Sequence, residues 1–85
     1  MNRRLAVSRV RACLAAVQPG IRLDELDDDT PLLAERVISS LDVLNLILHL
    51  EEASGRKVSR EQLVPGSFRD VRTIARVFLM SGDSE

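Results

Sequence analysis

Apolar residues in the first part of the chain recur at helical spacing. Ala6, Val10, Cys13, Leu14 and Val17 fall at i, i+4, i+7, i+8 and i+11, one stripe of a helix over about residues 3–18 that Pro19-Gly20 stops. Over about residues 40–54 the pattern is denser, with seven apolar side chains between positions 41 and 50. Two rows emerge. Val43, Leu46, Ile47 and Leu50 can face a core, and Leu41, Leu44 and Leu48 form a neighbouring row that begins beside Ser40. That row reads either as a wide core contact or as a docking strip for another protein. Ser59 with Gln62 makes a capping-box pattern for a short third helix ending at Pro65-Gly66. Asp70 caps a last helix that buries Val71, Ile74, Ala75 and Phe78 and leaves Arg69, Arg72 and Arg76 on another face. The prediction is an all-α, small four-helix bundle with a long loop between helices 1 and 2.

The loop, residues 19–38, is long for a compact domain. Leu23, Leu26, Leu32, Val37 and Ile38 can pin it to the bundle, so it should be ordered. Its Asp27-Asp28-Asp29 cluster lacks the alternating ligand spacing and central glycine of a calcium loop, and no metal site is expected. Eighty-five residues suffice for one domain, read as residues 1–80 with 81–85 as a flexible tail.

Composition narrows the class. The aromatics are two Phe, so the core is aliphatic, and the single Cys13 excludes an internal disulfide and reads as a packing residue compatible with a cytoplasmic setting. Arg9 and Arg11 interrupt the apolar run that a secretion signal needs. No apolar run approaches the roughly 20 residues that span a bilayer. Charge is unevenly placed: residues 1–23 carry five Arg and no acid, whereas 24–52 carry nine acids against Arg36 alone. A partner approaching Ser40 should therefore be basic. Nucleic acid is not expected, because the basic first helix offers no base-stacking aromatic.

Candidate chemistry centres on Ser40, where an acid-rich loop becomes an apolar helix. Unpaired N–H groups and a partial positive charge at a helix N-terminus favour a phosphate esterified to a hydroxyl there. Ser39 can act as N-cap, with Asp42 as the reciprocal acid. Ser40, Asp42 and His49 include hydrolase residue types, but Ser40 and His49 lie about 13 Å apart along one helix axis. That separation is too great for a nucleophile and its base, and the chain is not expected to be an enzyme.

The stretch Thr30–Glu52, TPLLAERVISSLDVLNLILHLEE, resembles the core of acyl carrier proteins, whose usual signature is Asp-Ser-Leu followed by an apolar helix ending in Leu-Glu-Glu. The pattern extends to Phe78, and the first helix matches in length and amphipathicity only. Two positions depart from it: Ser39 stands where the family usually has aspartate, and Asn45 where many members have an acid. The resemblance implies a four-helix bundle of acyl-carrier type with 4′-phosphopantetheine, taken from coenzyme A, on Ser40. It implies docking of partners through Leu41, Asp42, Leu44, Leu48, Glu51 and Glu52. The implied partners are a phosphopantetheinyl transferase, an acyl- or aminoacyl-loading ligase or transferase, and downstream synthases, met by a freestanding monomer. A standalone aminoacyl or peptidyl carrier remains open, as does a helical adaptor that carries no prosthetic group.

Overall fold

A computed structural model of the protein describes residues 2–80, and the predicted tail at 81–85 lies outside them. Helix α1 (Arg3–Val17) starts where the Asn2 side chain accepts the Leu5 N–H at 2.8 Å, an N-cap that occupies one orphan donor. Its stripe falls as the spacing requires: Ala6, Val10, Cys13 and Leu14 are buried, with Val17 half-buried at the end. Helix α2 (Ser40–Ser54) is closed by Gly55 at φ 74°, a left-handed C-cap that glycine, having no Cβ, adopts without strain. Helix α3 (Val71–Ile74) runs into a wider π turn, Ala75–Leu79. Its cap is Asp70, whose buried carboxylate accepts the Thr73 N–H at 2.7 Å.

The short third helix does not form as an α-helix. Two 3₁₀ turns, Arg60–Gln62 and Pro65–Phe68, occupy that stretch. Ser59 and Gln62 do make the predicted capping box. A helix needs a buried face to offset its nucleation cost, and none of Arg60–Gln62 is buried. Pro65 then limits extension by removing an N–H donor. Three α-helical segments and no strand are present among the described residues.

Helix α1 packs against α2, α3 and the π turn, α2 packs against the π turn, and Leu46, Leu50, Val71, Ile74, Phe78 and Leu79 belong to one core. Phe68 and Phe78 add the aromatic contact, with ring centroids 5.1 Å apart at 31°. The Cα radius of gyration is 11.6 Å, close to the value of about 12 Å expected for one packed domain of this length. No helix among the described residues is long and apolar enough to cross a membrane.

The long loop is ordered by polar as well as apolar contacts. Leu26, Leu32 and Ile38 are buried. The Leu32 N–H donates to the Arg69 carbonyl at 2.8 Å, and the Arg72 N–H to the Asp28 carbonyl at 2.9 Å. Arg11 is the main tie. Its guanidinium donates to the Leu23 carbonyl at 2.8 Å, to the Leu26 carbonyl, and to Asp28 Oδ1 at 2.7 and 3.2 Å. This planar fork serves three acceptors at once, which a lysine ammonium cannot match in geometry. Arg11→Met should therefore lower stability by about 2 kcal/mol, and Arg11→Lys by less, because loop carbonyls lose a charged donor. Urea unfolding followed by circular dichroism checks this; equal midpoints for wild type and Arg11→Met would show that the tie is dispensable.

Candidate functional site

Local sequence explains how Ser40 comes to be presented. The Leu32 carbonyl accepts from both Val37 N–H at 2.8 Å and Ile38 N–H at 3.3 Å, a tight turn that holds Arg36 left-handed at φ 58°. Ile38 then enters the core. The chain emerges at Ser39, whose Oγ accepts the Asp42 N–H at 3.2 Å while Asp42 Oδ2 accepts the Ser39 N–H at 2.9 Å. That reciprocal box is the one the sequence predicts. Ser40 follows as the first residue of α2, exposed to solvent. Its neighbour fixes the helix start, so its own hydroxyl is not needed as a cap.

Two grooves meet at Ser40. One, of about 550 Å³, is polar-rimmed and includes Gln18, Arg36, Ser39 and Asp42. The other, of about 350 Å³, is apolar, with Val43, Leu44 and Ile47 on one side and Leu63, Val64 and Phe68 on the other. Leu33 lines both. Val43 and Ile47, which the spacing turns toward the core, are half-buried, packed against it while also lining the groove. A volume in this range suits a small apolar ligand.

The second leucine row is outside the core. Leu41, Leu44 and Leu48 are 75%, 63% and 64% exposed, which answers the choice between core contact and surface strip in favour of the surface. Three leucines in line from Ser40 are a contiguous apolar patch of the kind that marks an interaction face. Of the acids expected to flank it, Asp42 is committed to the cap, and Glu51 Oε2 accepts the Val58 N–H at 2.9 Å, anchoring the turn after α2. Glu52 is exposed.

Charge around Ser40 differs from the linear count. Gln18, at the C-terminal end of α1, shares a groove with Ser40, whereas Asp28 lines a recess with Arg3, Arg4 and Val7 in the N-terminal half of that helix. Asp28 is thus set among arginines and paired with Arg11, and Glu25 pairs with Arg22 at 2.7 Å. Arg36 lies on the same groove as Ser40. Two acids of the run are thus turned to arginines, while Asp42 and Arg36 share the groove with Ser40.

His49 is half-buried on another face of the α1–α2 pair, where it lines a recess with Arg9, Cys13 and Glu52. Burial pushes the Cys13 thiol above its ordinary range; Arg9 pulls against that rise and Glu52 adds to it. A protonated, buried thiol is a packing group. Among the described residues, no three His, Cys, Asp or Glu side chains are placed to hold a metal ion together. The residues that sequence reasoning missed are Leu63 and Val64, because a groove wall built from a non-helical segment leaves no periodic signal. Comparison with family models, with curated proteins and with solved structures yields no match.

Proposed function

We propose that this chain is an acyl carrier protein, a bundle in which residues 60–68 stand as the irregular third helix and Ser40 is the attachment point for 4′-phosphopantetheine. The observation that carries the reading is Ser40 itself: an exposed hydroxyl, first in a fifteen-residue helix, at the meeting of a polar and an apolar groove. Those two surroundings match the two ends of a loaded arm. The first-turn amides of α2 would favour a phosphodiester at Ser40 Oγ, and Arg36 on the same groove adds a positive charge. When bound, the arm supplies a thiol that carries an acyl group as a thioester. Val43, Ile47, Leu63 and Val64 then offer an apolar surface that shields an aliphatic chain from water. That lining favours acyl over aminoacyl cargo, since a charged amino group would find no partner among these side chains.

The exposed leucine row supports docking by the transferase and by the enzymes that load and consume the cargo. With Asp42 and Glu51 engaged internally, Leu41, Leu44, Leu48 and Glu52 are the docking candidates of choice. Leu44→Asp and Leu48→Asp should each slow loading at least tenfold, the loss of one good apolar contact plus a buried charge at the interface. Helical circular dichroism should change little. A large loss of helix in either variant would instead make that leucine part of the fold.

Incubation with coenzyme A, Mg²⁺ and a promiscuous phosphopantetheinyl transferase tests the assignment. Intact mass should rise by one phosphopantetheine, and fragmentation should place it on Ser40. No gain with several transferases would overturn the carrier reading in favour of an adaptor that uses the leucine row alone.

A further inference from the structure

One wall of the apolar groove is held differently from the other. Val43, Leu44 and Ile47 sit on α2, which is fixed by Leu46 and Leu50 in the core. Opposite them, Leu63 and Val64 lie between the two 3₁₀ turns and are 48% and 47% exposed. No residue of Arg60–Gln62 is buried; the apolar anchors of this stretch are the half-buried Val58 before it and the buried Phe68 after it. Between those anchors side-chain hydrogen bonds hold it. Glu51 fixes its beginning through the Val58 N–H. Gln62 fixes its middle: Oε1 accepts the Ser59 N–H at 2.8 Å, and Nε2 donates at 2.9 Å to the Val77 carbonyl in the π turn. Flipping the amide would set the Nε2 group against an N–H and Oε1 against a carbonyl, so the network admits one orientation.

One end of the Gln62 amide therefore closes the 3₁₀ turn, and the other ties that turn to the last helix. We infer that Gln62 is a latch that sets the width of the apolar groove and so determines how bulky an acyl group the carrier accommodates. The inference rests on the acyl-carrier reading and names the residue that tunes its cargo. With the Val77 bond broken, the segment between the Val58 and Phe68 anchors loses its tie to the last helix, and Leu63 and Val64 gain freedom. The wall then moves away from Val43 and Ile47, and branched or ring-bearing groups gain room relative to straight chains.

Two variants test the latch, and the first of them isolates the donor. Gln62→Glu keeps an acceptor for Ser59 but turns an oxygen toward Val77. Arg56 and Lys57 line a recess with Gln62 and can pair with the new carboxylate, so Gln62→Met, similar in size and uncharged, is the second arm. Two amides report on the wall: Leu63 N–H bonds to the Arg60 carbonyl at 3.0 Å and Ser67 N–H to the Val64 carbonyl at 3.0 Å. In the apo-protein, hydrogen exchange at both should speed up about fivefold to tenfold in both variants, with core amides of α1 and α2 unchanged. Free octanoyl-pantetheine and cyclohexanecarbonyl-pantetheine, titrated against the methyl signals of Val43, Ile47 and Leu63, then read selectivity. Wild type should prefer the straight chain, and the variants should shift the ratio of dissociation constants about fivefold toward the ring, the scale of one hydrogen bond.

Unchanged exchange at Leu63 and Ser67 overturns the latch. Faster exchange with an unchanged affinity ratio, or no methyl shift with either probe, overturns its role in cargo choice. Neither readout needs an attached arm, so the carrier reading stands or falls separately on loading of Ser40.

Discussion

Ser40→Ala should abolish phosphopantetheine loading while leaving the fold at wild-type stability. The effect is all-or-none because the substitution removes the only atom that can form the phosphodiester at that position. Stability is spared for a structural reason: the cap that starts α2 belongs to Ser39 and Asp42, and alanine is a favourable residue for the first helical turn. Ser39→Ala should show the opposite profile. It loses the cap, at about 1 kcal/mol, and keeps the attachment oxygen. Intact mass and urea midpoints on the two single variants separate the roles, and loading that persists in Ser40→Ala would assign the site to another hydroxyl.

The largest stability loss is expected at Leu46. It is fully buried where α2 faces the rest of the core, so Leu46→Ala removes apolar contact and leaves a cavity, at a cost of about 2–5 kcal/mol. A domain of this length has only about 4–13 kcal/mol in total. The variant should therefore melt at least about 8 °C below wild type, at roughly 4–8 °C per kcal/mol. Leu48→Ala, two residues on and largely exposed, should change stability by less than about 0.5 kcal/mol. The chain has no Trp or Tyr, so thermal circular dichroism is the suitable probe. Equal melting of the two variants would remove the distinction between an inner and an outer leucine row.

Much of the helical framework is legible in the sequence because helix formation is written locally. The α1 stripe, the Ser39–Asp42 box, Gly55 after α2 and the Asp70 cap are each decided within four residues of one another. Exposure of Leu41, Leu44 and Leu48 was not decided that way, since periodicity gives faces but not what covers them. Three further features escaped for a related reason. Arg11, Glu51 and Gln62 read as solvent-facing helix or cap residues, yet each reaches a backbone group on another segment. Such bonds join positions seven to fifteen residues apart, and no spacing rule encodes them. A capping box marks where a helix can begin and burial decides how far it continues, so the predicted short third helix is present as two 3₁₀ turns. Charge placement is likewise set by the fold: Asp28 pairs with Arg11, and Arg36 shares the groove of Ser40.

The packing of Cys13 has a practical consequence for measurement. It is the single cysteine of the chain, and it sits in the core with its thiol held protonated by burial. A maleimide dye or a disulfide-exchange reagent at neutral pH should leave the folded apo-protein colourless. Once an arm is attached, its terminal sulfhydryl becomes the one fast-reacting group in the sample. A thiol-titration time course on unmodified material would then count unacylated arms directly, without an engineered cysteine-free background.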